Sequence, residues 1–288
     1  MKTILLPTDF SENSVNAIYY AFDMYKSEVC RFILLHAYSV NGYDPESKLS
    51  AIPGEATLKK AKAEADKNLQ ELISKIYDEI ECKKHHFQAI SSNATLTEAI
   101  KVEVEKNEIE LVIIGTQGST GSFGVLYGSN TRNIMEEVHN CPVLAVPSHV
   151  KFEQIKEIVL PNGYKMRHQK EDFAFINRLS KKFNAAVRVL HILEDGISHK
   201  QEANRKHLAL YLRNVPHSFH TLEHVSLPVG IYCFTESRNS DLIAFVNKKH
   251  NFLQNLLMNP LYKNLGHYST IPVLVLHHTS GRSTSVLP

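Results

Sequence analysis

Residues 111–130 read LVIIGTQGSTGSFGVLYGSN. Leu111-Val112-Ile113-Ile114 is an unbroken aliphatic run, the composition expected of a strand buried on both faces. Five of the chain's twelve glycines come next: Gly115, Gly118, Gly121, Gly124 and Gly128. A helix-like segment then opens at Ser129 and pairs Ile134 with Val138. Similar aliphatic runs stand at 3–7, 32–37 and 142–146. Between them lie amphipathic stretches. Ser11 is a natural N-cap for one, which sets Ala17, Ile18, Ala21, Phe22 and Tyr25 on one helical face; another carries Leu96, Ile100 and Val104 at four-residue spacing. This alternation predicts an α/β fold, an open, mostly parallel five-stranded sheet flanked by helices. Ligands of such sheets bind beyond the carboxyl ends of the strands, where "PTD" (7–9) and "GTQG" (115–118) both fall.

The chain repeats itself. "TILLPTDF" (3–10) returns as "EIVLPNGY" (157–164), and "FILLHAY" (32–38) as "VRVLHIL" (187–193), with His36 matching His191. "ELVIIG" (110–115) corresponds to "DLIAFV" (241–246), and "CPVLAVP" (141–147) to "IPVLVLH" (271–277). The offset falls from 155 at the histidines to 131 at Leu111/Leu242, so the second copy is 24 residues shorter between them. Two tandem domains are expected, 1–150 and a shortened 151–288. The closing runs of the two copies are expected to be edge strands, ready to pair with each other into a pseudo-dimer or with a second chain.

Charge divides along the same line. Residues 1–150 hold 14 Lys+Arg against 20 Asp+Glu, and residues 151–288 hold 18 against 10. The basic residues of the second half are dispersed, with no aromatic-interleaved stripe, so mutual attraction of the halves explains the split better than nucleic acid does. No apolar run approaches the ~18 residues that span a bilayer. The opening "MKTILLPTDF" is too short for a signal sequence. Cys30, Cys82, Cys141 and Cys233 are scattered, which argues against a disulfide framework or zinc knuckle and for a reducing cytoplasm.

The glycine stretch matches neither G-x-x-x-x-G-K-[ST] nor G-x-G-x-x-G. Its spacing is Gly115-x2-Gly118-x9-Gly128-Ser129. Together with "ILLPTDFSENS" (4–14) and "CPVLAVP", this resembles the nucleotide-binding branch of the universal stress protein family. The resemblance is strong over 1–148 and eroded from 155 to 278. It implies a Rossmann-type fold of the adenine-nucleotide alpha-hydrolase kind and ATP as ligand, with the need for Mg²⁺ left open. It places Pro7, Thr8, Asp9, Ala37, Gly115, Thr116, Gly118, Gly128, Ser129, Asn130 and Thr131 at the nucleotide. Asp9 would hold the ribose hydroxyls and the backbone near Ala37 the adenine edge. The physics agrees: glycines let backbone amides approach phosphates closely, and a helix N-terminus favours their charge. Ser129 and Thr131 would add hydroxyl donors, with the Asn130 amide between them. "STGSFGVLY" (119–127) would cover the phosphates.

The second copy lacks these features. Gly163 replaces Asp9, Val246 and Lys249 replace the loop glycines, and Pro260 falls where the helix amides should be. One ATP per chain follows, with lysine filling the vacated space. His217, His220 and His224 have neither H-E-x-x-H spacing nor a cysteine partner, so no metal ligand is assigned. No nucleophile elbow is present, and Asp9 and Glu12 pair with no second catalytic group. The resemblance implies a cytoplasmic stress-response protein acting through nucleotide-dependent association with an unnamed protein partner, and leaves room for a homodimer. Slow ATP hydrolysis and a scaffold with incidental nucleotide binding are the alternatives.

Overall fold

The aliphatic runs form strands and the amphipathic stretches form helices. The computed structural model describes residues 1–40, 54–79, 84–116, 127–193, 196–247 and 271–277. In the first half, β1 (Lys2–Pro7), β2 (Cys30–Tyr38), β3 (His86–Asn93), β4 (Ile109–Gly115) and β5 (Val143–Val146) alternate with α1 (Glu12–Tyr25), α2 (Glu55–Glu79), α3 (Leu96–Lys106) and α4 (Ser129–Glu137). The second half runs β6 (Glu157–Pro161), α5 (Ala174–Phe183), β7 (Ala186–Leu193), α6 (His199–Leu212), β8 (His217–Glu223), α7 (Leu227–Arg238), β9 (Leu242–Asn247) and β10 (Val273–His277).

Local chemistry sets the helix ends. Ser11 accepts from Ser14 N at the start of α1, while Thr95/Glu98 and Ser198/Gln201 close capping boxes on α3 and α6. Helices α5 and α7 stop at left-handed Asn184 and Asn239, a residue type that tolerates positive φ. The five residues read as the buried face of α1 are each no more than 4% exposed. The shortening of the second copy falls mainly at one place. Helix α2 has 25 residues and α6 has 14, and residues 39–54 before α2 become 194–198 before α6.

The expected pair of sheets is a single sheet. Its order is β3-β2-β1-β4-β5-β10-β9-β6-β7-β8, ten strands with the halves mirrored about the middle. Neighbouring strands are parallel except β5 and β10, which run antiparallel with Val273 opposite Ala145, Leu274 opposite Leu144 and Val275 opposite Val143. The closing strands are edges of their own halves, and each covers the other. Side chains alternate across this seam. Leu144, Val146, Leu274 and Leu276 enter the core on the α1/α5 face, and Val143, Ala145, Val273 and Val275 enter the core on the α4/α7 face. Each core therefore continues through both halves. The charge split contributes locally, where Lys182 of α5 meets Glu28 after α1 and stands 3.8 Å from the Tyr25 ring centroid.

A second organising contact was not read from the sequence. Glu157, 9% exposed at the start of β6, accepts from Arg238 Nε and Nη2 at 2.7 Å, from Arg188 Nε at 2.8 Å and from Ser240 Oγ at 3.0 Å. It ties β6 to β7, to the end of α7 and to the turn before β9. Burial alone would raise its carboxyl, but donation from Arg238, Arg188 and Ser240 outweighs that and holds the group at about 2. A carboxyl depressed from its ordinary ~4.3 contributes roughly 3 kcal/mol, present above that pH and lost as pH falls toward 2. Glu157→Gln should therefore cost about 2–3 kcal/mol at neutral pH, because two guanidinium groups lose their carboxylate. Urea unfolding at stepped pH should also show a flatter acid limb between pH ~4.5 and ~2 in the variant than in the parent protein.

Candidate functional site

The sheet order changes direction between β1 and β4, and a crevice opens there beyond the strand ends. The turn after β1 forms one wall. Thr8 N donates to Leu35 O at 2.9 Å, and Thr8 Oγ1 sits 2.9 Å from Ser14 Oγ. Phe10 N donates to Thr8 Oγ1 at 3.0 Å with Phe10 at φ 64, a strained conformation for an aromatic residue. The His36 ring holds it in place. Its centroid lies 4.5 Å from that of Phe10, and its Nδ1 is 2.8 Å from Thr8 O. A carbonyl only accepts, so Nδ1 carries the proton. His36 is half-buried, and its bond to backbone makes it part of the turn's scaffold. Asp9 is exposed at the mouth, its Oδ1 accepting from Ser11 N at 3.2 Å and Ser11 Oγ at 2.5 Å.

The end of β4 and the start of α4 form the facing wall. Thr116 N donates to Val146 O at 3.0 Å, and Gly128 N donates to Thr116 O at 2.7 Å, so the chain leaves and re-enters through one anchor. Gly128 is the N-cap of α4, with no side chain capping the helix. The first helical amides, those of Ser129, Asn130 and Thr131, lie at the positive end of the helix dipole.

The crevice holds about 140 Å³. Pro7, Thr8 and Asp9 line one side, and Gly115, Gly128, Ser129, Asn130 and Thr131 line the other. Ala37, Leu96 and Ile114 complete it with apolar surface. Thr116 stands apart, its side chain 5% exposed and outside this lining. Gly118, Gly121, Phe123 and Gly124 lie outside the described residues. Leu96 and Ile114 were missed as site residues because their four-residue and strand patterns read simply as core.

Two expected roles change in the structure, and Gly128 carries no conformational requirement. Gly115 was expected to clear space for phosphate, but a Cβ there would stand 2.9 Å from Asn13 Cγ and Asn13 O, so α1 itself requires the glycine. Gly128 has φ −60, which any residue adopts, so no backbone limit demands glycine at that position. Thr131 is 3% exposed and donates its hydroxyl hydrogen to Gly115 O at 2.8 Å, so that hydrogen fastens α4 to β4 and is not offered to a ligand.

The second half keeps the same turn and closes it. Asn162 N donates to Leu190 O at 2.8 Å, His191 Nδ1 is 3.0 Å from Asn162 O, and Tyr164 repeats the positive φ at 54. Tyr164 lies 4.7 Å from His191, as Phe10 lies against His36. Here α6 closes over the turn: Gln201 Nε2 donates to Gly163 O at 3.0 Å and Asn204 Nδ2 to Tyr164 O at 2.8 Å. Val246 packs against the core at the position of Gly115. Lys249 and Pro260 lie outside the described residues. Of the histidines weighed as ligands, His217 Nδ1 is 2.9 Å from Val215 O and His220 Nε2 is 2.7 Å from Ser218 Oγ. No described helix is long and apolar enough to cross a membrane.

Comparison with known proteins supports this architecture. Residues 1–147 match the sequence profile of the universal stress protein family. Universal stress protein MJ0577 of Methanocaldococcus jannaschii is 30% identical over 158 residues, covering 50% of this chain and 94% of that protein. Universal stress protein MJ0531 of the same organism is 29% identical over 154 residues, covering 50% and 81%. Among solved structures, a universal stress protein from Archaeoglobus fulgidus superposes with a TM-score of 0.65 at 17% identity, covering 96% of both chains. One from Pseudomonas aeruginosa gives 0.60 at 12% identity, covering 96% of this chain and 94% of that one. These two share the fold over nearly the whole length, including the second half. The chain belongs to the universal stress protein family.

Proposed function

We propose that the first half binds ATP in the crevice between β1 and α4, and that the protein works in the cytoplasmic stress response through nucleotide-dependent association with a partner. The supporting observation is convergence. Residues far apart in sequence, from the Pro7 turn, Ala37 and the Gly128–Thr131 helix start, line one crevice at the strand-order switch. The uncapped first turn of α4 suits phosphate oxygens, which need backbone donors and positive potential. Asp9, exposed and oriented by Ser11, suits the vicinal hydroxyls of a ribose. Ala37 at the apolar wall suits the base. At about 140 Å³ the crevice is smaller than the ~300 Å³ at which small-molecule pockets begin. A nucleotide would therefore seat one portion inside and extend the rest across the mouth.

In this reading the halves divide the work, 1–150 binding nucleotide and 151–288 acting as its permanent structural partner. Chemistry on the phosphate has little support here, since among the described lining residues Asp9 is the one ionisable side chain, and it is engaged by Ser11. Labelled ATP incubated in single turnover with the purified protein should stay intact on the time scale of binding. Rapid release of ADP would establish the hydrolytic alternative.

Calorimetry with ATP should give one equivalent per chain. Asp9→Ala should weaken binding by about tenfold to a hundredfold, the scale of hydrogen bonds to a charged group. Gly128→Val, allowed by its backbone angles, should weaken it at least about tenfold by placing a branched side chain at the helix start. Unchanged affinity in both folded variants would remove the crevice from consideration. Repeating the titration with EDTA reads the Mg²⁺ requirement.

A further inference from the structure

The seam carries a cross-half contact that the nucleotide reading does not use. His139 follows α4 in the first half, and His277 ends β10 in the second. Their Nδ1 atoms are 3.1 Å apart, with ring centroids at 4.6 Å and planes at 86°. His277 Nε2 is 2.9 Å from Met135 O. Since a carbonyl only accepts, that nitrogen carries the ring proton, and Nδ1 of neutral His277 presents a lone pair toward His139. We infer that His139 and His277 form a two-imidazole site for a divalent transition-metal ion, Cu(II) or Zn(II), that staples the two halves of the chain together.

Three observations carry this. An imidazole whose second nitrogen is anchored to a backbone carbonyl has its tautomer and ring plane fixed, the arrangement that metal-binding histidines use. His277 has that anchor. The separation also fits one ion. With metal–nitrogen bonds of about 2.0–2.1 Å, a 3.1 Å spacing gives an angle of roughly 100° at the metal, suited to neighbouring positions of a square or tetrahedral centre. His139 is exposed, and a rotation of its ring would bring the two lone pairs onto one ion, with water at the remaining positions. Last, Met135 and His139 lie at the C-terminal end of α4, where the helix dipole favours positive charge.

The proton balance is simple. Without metal, His139 Nδ1–H donates to His277 Nδ1. On metal entry His139 moves that proton to its Nε2 through solvent, both Nδ1 atoms become ligands, and no net proton is released. Among the described residues no group of three or more His, Cys, Asp or Glu side chains is placed to hold a metal, so among them this site offers the ion two side-chain ligands. Imidazole ligands select Cu(II) over Zn(II) in affinity.

The test uses the full-length protein freed of metal with a chelator and titrated near neutral pH with CuCl2 and, separately, ZnCl2. One tight equivalent per chain is expected, tighter for copper, with a metal-dependent rise in the thermal midpoint. His139→Ala, an exposed substitution that leaves the fold intact by circular dichroism, should weaken that equivalent at least about tenfold and abolish the midpoint rise. His277→Ala should do the same, and the double variant should be no weaker than either single one, because each loss removes the same chelate. His217→Ala/His220→Ala should leave binding unchanged. Unaltered binding in His139→Ala, no tight equivalent in the parent protein, or loss in His217→Ala/His220→Ala instead would each overturn the site and leave the pair as a hydrogen bond alone.

Discussion

The antiparallel pairing of β5 with β10 is the contact on which the molecule depends. Each half would otherwise end in a short apolar strand with unpaired backbone groups, a template for any other chain. Pairing the two within one chain satisfies those groups and joins ten strands into one sheet. It also carries both cores through the seam, because alternate residues of β5 and β10 point to opposite faces. The second half thus stays in register with the first although Gly163 and Val246 replace the counterparts of Asp9 and Gly115. The Lys182–Glu28 contact and the His139–His277 pair are additions to a seam already made by backbone and aliphatic side chains.

Comparing the halves separates what the fold requires from what a ligand would require. Both keep the turn after the first strand, with a histidine bonded to its carbonyl and an aromatic residue at positive φ. That strained turn persists beside Gly163 as it does beside Asp9, so it serves the strand-to-helix connection itself. The carboxylate of Asp9 and the glycine at 115 are features in which the halves differ, Gly163 and Val246 standing in their places. In the second half α6 closes on the turn through Gln201 and Asn204, helped by a connection eleven residues shorter than the one before α2.

Much of this was legible in the sequence because it rests on local pattern. Continuous Ile, Leu and Val runs became strands, the repeated landmarks stand on matching strands on either side of the seam, and the Pro7 and Gly128 segments line one crevice. The particular reason for a residue was less legible. Gly115 is needed because Asn13 comes within 2.9 Å of its missing Cβ, a contact between residues about a hundred positions apart that no motif encodes. Thr131 looked like a ligand donor, yet its hydroxyl is claimed by a strand carbonyl. The Glu157 cluster draws on residues from 157 to 240, and such ion networks have no sequence signature. Fusion of the sheets followed from the edge-strand expectation, but its antiparallel register came only from three-dimensional pairing.

The claim that nucleotide occupies the first half alone is tested most directly by hydrogen–deuterium exchange with and without saturating ATP. The account predicts slowed exchange at residues 7–10 and 128–131, the turn and the helix start that face each other across the crevice. It predicts no change at 161–164, the matching turn of the second half. Equal protection of both turns, or protection at 161–164 alone, would contradict it.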